Sequence, residues 1–149
     1  NWRGPNQDGS SEQTGLPTKF DPEENIDWVV DLPGTGSSTP IVWDDSVFVT
    51  SIDEEAEAVV ALKVDVGSGE IAWKKELGSG VRKDDRSTFA GPSAVTDGEL
   101  VVFFTGNGHL VAFDFDGSEI WRHDIQKEYG EFAFGWTFST SPVLHEGRL

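Results

Sequence analysis

The chain has 149 residues, a formal net charge of −16, no cysteine and no methionine. The charge excludes a nucleic-acid ligand, which demands clustered Lys and Arg, and docking on anionic lipid. Without cysteine there is no disulfide, thiolate metal site or thiol nucleophile, and no apolar run approaches the roughly 18–20 residues of a membrane helix. Hydrophobic residues make up 36% and aromatic residues 11%, enough to build a core in one ordinary domain. Glycine (17) and proline (7) suit a many-turned β protein. Position 1 is not Met, so the chain is expected to be processed or cut from a longer one, with any signal peptide lost.

Residues 1–22 are polar, rich in Gly, Pro, Ser and Gln, and lack a hydrophobic period, which predicts an extended arm over residues 1–25. Residues 25–32, with Ile26, Trp28, Val29 and Val30, read as a strand. Thr39-Pro40-Ile41-Val42-Trp43-Asp44-Asp45-Ser46-Val47-Phe48-Val49-Thr50 places two apolar runs around an Asp-rich tight turn, a hairpin. The same shape returns at residues 91–104 around Thr96-Asp97-Gly98-Glu99, and begins a third time at residues 141–149. The prolines that open these hairpins are spaced 92 − 40 = 52 and 142 − 92 = 50; the first residue of a strand is one of the few sheet positions that tolerate Pro.

Third strands follow at residues 57–64, after the acidic Asp53-Glu54-Glu55, and at residues 108–113. The second comes after Thr105-Gly106-Asn107-Gly108, where Asn107-Gly108 signals a type I′ turn. Fourth strands are expected at residues 70–77 and 119–125, and no helical period exceeds one turn. Two links remain. Residues 78–89 carry Arg82-Lys83-Asp84-Asp85-Arg86, the one dense basic cluster, and residues 126–138 carry Tyr129, Phe132, Phe134, Trp136 and Phe138.

Two stretches repeat each other closely: Lys63-Val64-Asp65-Val66-Gly67-Ser68-Gly69-Glu70-Ile71-Ala72-Trp73 and Ala112-Phe113-Asp114-Phe115-Asp116-Gly117-Ser118-Glu119-Ile120-Trp121. Each is an apolar run, an Asp that closes a turn through its own backbone, a Gly that supplies positive φ, and a Trp on the return strand. The two Trp are 121 − 73 = 48 apart, and Trp28 lies 73 − 28 = 45 before Trp73. A period of roughly 40–50 residues made of short strands marks a β-propeller array. The expected fold is all-β, a partial propeller of four-stranded antiparallel blades over residues 26–149: a leading strand, about two full blades and an incomplete third. A propeller carries about 4–8 blades, so the remaining blades are expected from the rest of a longer chain.

These stretches resemble the tryptophan-docking motif of the PQQ (pyrroloquinoline quinone)-type propellers, an Ala, an Asp, a Thr-Gly turn and a Trp. Asp65, Ser68-Gly69 and Trp73 match in the first copy, and Ala112, Asp114 and Trp121 in the second, whose turn is one residue shorter. Lys63 stands where the family has Ala, so its stem has to replace a methyl. The resemblance implies that Trp28, Trp73 and Trp121, with Asp65, Asp114, Gly69 and Gly117, are structural docking positions. It also makes each repeated hairpin the inner strand pair of a blade. A buried Trp hides ~150–250 Å2, so Trp73→Ala or Trp121→Ala is expected to cost ~3–5 kcal/mol. Trp2-Arg3-Gly4-Pro5 resembles the start of secreted PQQ-like repeat proteins, with Trp2 either an anchor on the propeller side or a ligand contact.

The resemblance implies an extracytoplasmic protein and two functions. The first is a non-catalytic scaffold or binding propeller, like those of outer-membrane assembly, with loops presented to an unidentified protein or small-molecule ligand and no cofactor. The second is a PQQ-dependent dehydrogenase of alcohols or sugars, with the quinone, Ca2+ and an Asp base in the central funnel. The adjacent-Cys pair of such enzymes is absent, and no calcium ligands are identifiable. The cofactor-binding candidates are Arg82, Arg86 and Trp136. Arg82, Lys83 and Arg86 beside Phe89 form either a salt-bridged surface loop or a hold for an anionic ligand such as a quinone carboxylate. Phe132, Phe134 and Trp136 either line a binding surface or pack on the next blade.

The carboxylates of Asp114-Phe115-Asp116-Gly117-Ser118-Glu119 read as a hairpin turn, since a calcium loop needs more ligands and a bidentate Glu. Asp53, Glu54, Glu55 and Glu57 read as a solvated loop. His109, His123 and His145 lack metal-ligand spacing, and no nucleophile elbow, phosphate loop or dinucleotide fingerprint occurs. No catalytic residue and no metal site is predicted.

Overall fold

The computed structural model describes residues 3, 4, 6, 8–21, 23–82, 88–133 and 135–149. Two four-stranded antiparallel meanders follow one another along the chain. The first contains β1 (Ile41–Trp43), β2 (Ser46–Asp53), β3 (Ala58–Asp65) and β4 (Ile71–Ser79). The second contains β5 (Val95–Thr96), β6 (Leu100–Phe104), β7 (His109–Asp114) and β8 (Glu119–Asp124), and a five-residue helix α1 (Ile125–Tyr129) follows it. In both sheets the strands lie side by side in chain order, so these are the two full units that the repeat predicts. The fourth strands end at Ser79 and Asp124, within two residues of the predicted limits.

The sheets pack face to face. Phe48 and Ile52 on β2 point toward Val101, Phe103, Val111 and Phe113 of the second sheet. Val49 points the other way, to Val60, Leu62 and Leu32. Burial on both faces explains why β2 and β3 read as nearly continuous apolar runs and not as strict alternation. Aromatic rings fill the seam: Phe48 lies 6.0 Å from Trp73 and 6.4 Å from Phe103, and Trp73 lies 5.8 Å from Phe113.

Turn chemistry carries the repeat. Asp65 Oδ1 accepts from the Ser68 N–H at 2.8 Å and from its hydroxyl at 2.9 Å. Asp114 Oδ1 accepts from the Ser118 N–H at 2.8 Å. Gly69 (φ 74°) and Gly117 (φ 85°) supply the left-handed step. These bonds hold both carboxyls below the ordinary 3.8, through the Ser68 hydroxyl first for Asp65 and the Ser118 N–H first for Asp114. A lowered folded-state pKa means that the stabilisation is present above the unfolded value and fades as the pH falls below it. The urea midpoint is therefore expected to drop between about pH 5 and about pH 2. The double variant Asp65→Ala, Asp114→Ala should start lower and drop less; an equal drop in both proteins would contradict this.

Two sequence expectations change. Residues 26–32 join no ladder. Their composition suits a strand, but a strand needs a neighbour to receive its backbone groups, and no described residue pairs with them through a backbone ladder. The turn at Asn107-Gly108 is not type I′, which needs positive φ at both central residues. Only Gly108 (φ 92°) has it, and Gly108 N–H donates to Thr105 O at 2.9 Å to close a three-residue loop. Among the described residues the turn with two positive φ values is Glu146-Gly147 (49° and 70°), where His145 and Arg148 exchange backbone bonds of 2.9 Å.

That last turn belongs to the start of a third unit. Leu144 packs against Val95, Val102 and Ala112, beside Trp121. Ser93 N–H donates to Ser141 Oγ at 2.9 Å, and Thr39 N–H donates to Ser93 Oγ at 2.8 Å. These three hydroxyl residues adjoin Pro40, Pro92 and Pro142, so the period of about 50 that the prolines show has a physical counterpart: a chain of hydrogen bonds from unit to unit.

Candidate functional site

Antiparallel strand order sorts the connections to two ends of the stacked sheets. One end carries the tight hairpins β1–β2, β3–β4, β5–β6 and β7–β8. The other carries the β2–β3 and β6–β7 turns and both links between units.

At the hairpin end, tryptophans lie across glycine turns. The Trp28 indole N–H donates to Val66 O at 2.7 Å, and a Cβ on Gly69 would sit 2.6 Å from its ring. The Trp73 indole N–H donates to Phe115 O at 3.1 Å, and a Cβ on Gly117 would sit 3.1 Å from its ring. In both cases the acceptor is the residue after the turn Asp. Lys63, paired across the ladder with Trp73, donates from Nζ to the same Phe115 carbonyl at 3.0 Å. Its stem therefore runs along the seam, which is how a long side chain fits where a methyl was expected. Trp121 packs on the Val95, Val102 and Ala112 cluster, with its ring 5.6 Å from His123; among the described residues its indole N–H has no acceptor.

One such contact was missed. A Cβ on Gly98 would lie 2.5 Å from Trp43 Cζ2, so Trp43 at the end of β1 covers the β5–β6 turn. The Asp-Gly dipeptide announced the turn; nothing local announced the indole above it.

At the link end the two links converge on Gly106. Its N–H donates to Phe89 O at 2.8 Å, and a Cβ there would lie 2.7 Å from Phe138 O and 3.0 Å from Phe89 Cα. Gln126 ties the second link down, donating to Asn107 O and accepting from Phe132 N–H, each at 2.9 Å. Phe132 stacks on Phe138 at 5.2 Å, and Phe138 meets Phe104 edge-on at 5.3 Å. Arg82 Nη2 donates to Gly135 O at 2.7 Å, which joins the first link to the second next to Trp136.

Two large rings stay outside this framework: Tyr129 is 79% exposed and Trp136 75%. At the same end Ser79, Asn107, His109, Asp124, Gln126, Lys127, Glu131 and Phe132 line an open groove of about 620 Å3. Asp124 caps α1 by accepting from Lys127 N–H, which holds its carboxyl below the ordinary 3.8. Asp53 is likewise held low, first by Lys74 at 2.8 Å and then by the Ala56 N–H.

Of the predicted ligand candidates, Arg82 and Trp136 meet through Gly135, whereas Arg86, with Lys83, Asp84 and Asp85, lies outside the described residues, as do Trp2 and Phe134. The Arg82 guanidinium gives one of its donors to a backbone carbonyl, Trp136 stands open, and no three acidic or histidine side chains among the described residues are grouped to hold a metal ion. No helix among them is long and apolar enough to cross a membrane.

A quinohemoprotein alcohol dehydrogenase from Comamonas testosteroni superposes on 76% of this chain with a TM-score of 0.52 and 19% identity. BamB from Moraxella catarrhalis aligns with 65% of the chain, at a TM-score of 0.47 and 20% identity. The chain spans 16% of the first structure and 26% of the second. No curated protein sequence matches it. The repeated four-stranded units and the superposition on the dehydrogenase together make the chain an all-β partial propeller. A family model described as outer membrane protein assembly factor BamB matches residues 16–149, and the chain belongs to that family of PQQ-like repeat propellers.

Proposed function

We propose that the chain is the blade-bearing part of a non-catalytic scaffold that receives a protein partner on its link end. The observation that carries this reading is the pairing of a held backbone with bare aromatic rings. Gly106, Gln126 and Arg82 fasten the links, yet Tyr129 and Trp136 project into solvent. Large aromatic side chains on a fixed frame supply contact area at little entropic cost, which is why they dominate interface energetics. In this reading residues 1–25 are an arm and residues 26–149 are blades. Trp28, Trp73 and Trp121 dock blade to blade on turns built by Asp65, Asp114, Gly69 and Gly117, and the remaining blades come from a longer chain. The family description names an outer-membrane assembly factor, which supports an extracytoplasmic location.

A photo-cross-linking residue at Trp136 in the full-length protein should capture one discrete protein, and the same residue at Val29 should capture none. Equal capture at both positions would count against the reading. With the cross-linking residue at Tyr129 instead, Trp136→Ala should weaken capture and shift stability by less than about 0.5 kcal/mol, as for other exposed sites. The fold neighbour among quinohemoproteins favours one alternative, a dehydrogenase whose cofactor site is built by other blades. Reduction of a redox dye by the full-length protein on addition of PQQ and Ca2+, with quenching of Trp fluorescence, would favour it.

A further inference from the structure

At the link end the two sheets meet along a row of close contacts between β4 and the second sheet. Gly78 has no side chain, and a Cβ there would lie 2.0 Å from His109 Cδ2 and 2.5 Å from Nε2. The imidazole therefore rests against the bare β4 backbone. On one side of it Asn107 Nδ2 donates to Ser79 O at 2.8 Å. On the other, Arg122 donates to Leu77 O and, at 3.1 Å, to Glu76 O, while Glu119 grips the same guanidinium at 2.8 Å. His109 is the one side chain in this row that can change its charge near neutral pH. We propose that the seam is an acid-sensitive joint, in which proton uptake by His109 loosens the first sheet from the second at the link end while the hairpin end stays closed around Trp73.

The surroundings favour the neutral ring. It is half-buried against backbone, where a charge loses hydration. The groups that face it come from every packed element. β8 brings Asp124 and Arg122, α1 brings Lys127, β4 brings Glu76, and Glu131 of the following link lines the same groove. Asp124 would favour the imidazolium, but its carboxylate already serves the Lys127 N–H and the Lys127 ammonium at 3.3 Å. Burial, opposed first by Asp124, leaves His109 below the ordinary 6.5. The sign follows: the folded state takes up its proton at lower pH than the unfolded chain, so the joint is fully stable above about pH 6.5 and weakens as the pH falls through the folded value.

The test is an NMR titration of the protein from about pH 8 to about pH 4.5. The His109 ring signals should titrate below 6.5, and cross-relaxation between the His109 ring and the Gly78 α-protons should weaken over the same interval. The Trp73 indole N–H should keep its exchange protection throughout. In His109→Gln, which cannot titrate, the Asn107 side-chain signals at the seam should lose the pH dependence they show in the parent protein. Titration at or above 6.5, undiminished Gly78 contacts below the transition, or equal pH dependence in His109→Gln would each overturn the proposal. The titration and the Gly78 contacts are read on the unaltered protein, so the outcome does not hang on the variant folding.

Discussion

Trp73→Ala is expected to lower the unfolding free energy by about 3 kcal/mol, the lower end of the range for large aromatic truncations. Trp73 sits in the seam with Phe48, Phe103 and Phe113 all within 6.3 Å ring to ring, so its removal leaves a hole bounded by both sheets. The loss stays near the bottom of the range because the indole is only partly buried. Trp73→Phe separates the two contributions. It retains most of the ring contacts and removes the N–H bond to Phe115 O, for a loss of about 1 kcal/mol, softened because Lys63 still reaches that carbonyl. Trp121→Ala, expected from sequence to match Trp73→Ala, should cost only about 1.5 kcal/mol: its indole has no acceptor among the described residues and rests on one sheet instead of between two. Urea midpoints of the three variants check the order. Equal losses at Trp73 and Trp121 would mean that both indoles are wedged in equivalent seams in the protein measured.

Those two tryptophans mark where sequence reading reached and where it stopped. The Asp65 and Asp114 turns were legible because their chemistry is local. A carboxylate three or four residues from a Ser N–H and a Gly ready for positive φ leave few other conformations. The strands were legible for a similar reason, since apolar runs between such turns have one compact arrangement, an antiparallel meander. Residues 26–32 misled because Ile26, Trp28, Val29 and Val30 describe a side-chain preference, while a strand is a pairing, and pairing depends on what lies alongside. Asn107-Gly108 misled because only Gly108 had to go left-handed once Thr105 and His109 closed the loop. The candidate site was half-legible. The aromatic richness of the second link was plain, but which rings pack inward (Phe132, Phe138) and which stand free (Tyr129, Trp136) follows from tertiary fastening by Gln126, Arg82 and Gly106. No spacing rule encodes that fastening.

Gly106→Ala is the change that should disturb that fastening most, at an expected cost of about 2–3 kcal/mol. Gly106 does not need a left-handed backbone, so the argument is about space. The new methyl would point between Phe138 O at 2.7 Å and Phe89 Cα at 3.0 Å, with Thr137 Cγ2 at 2.9 Å. Two of those three atoms are main chain, one from each link, and neither can swing aside as a side chain would. The links have to separate, which strains the Gly106 N–H bond to Phe89 O and lifts Phe138 from Phe104 and Phe132. Gly135→Ala is the matched control: a Cβ there meets nothing within 4 Å, and the backbone conformation suits any residue, so the midpoint should move by less than about 0.5 kcal/mol. The pair also bears on function. If the link end binds its partner through a fixed frame, Gly106→Ala should reduce cross-linking from Trp136 although it touches neither exposed ring, and Gly135→Ala, one residue from Trp136, should not. The opposite pattern would mean that the aromatic rings act on their own, from a backbone whose position is immaterial.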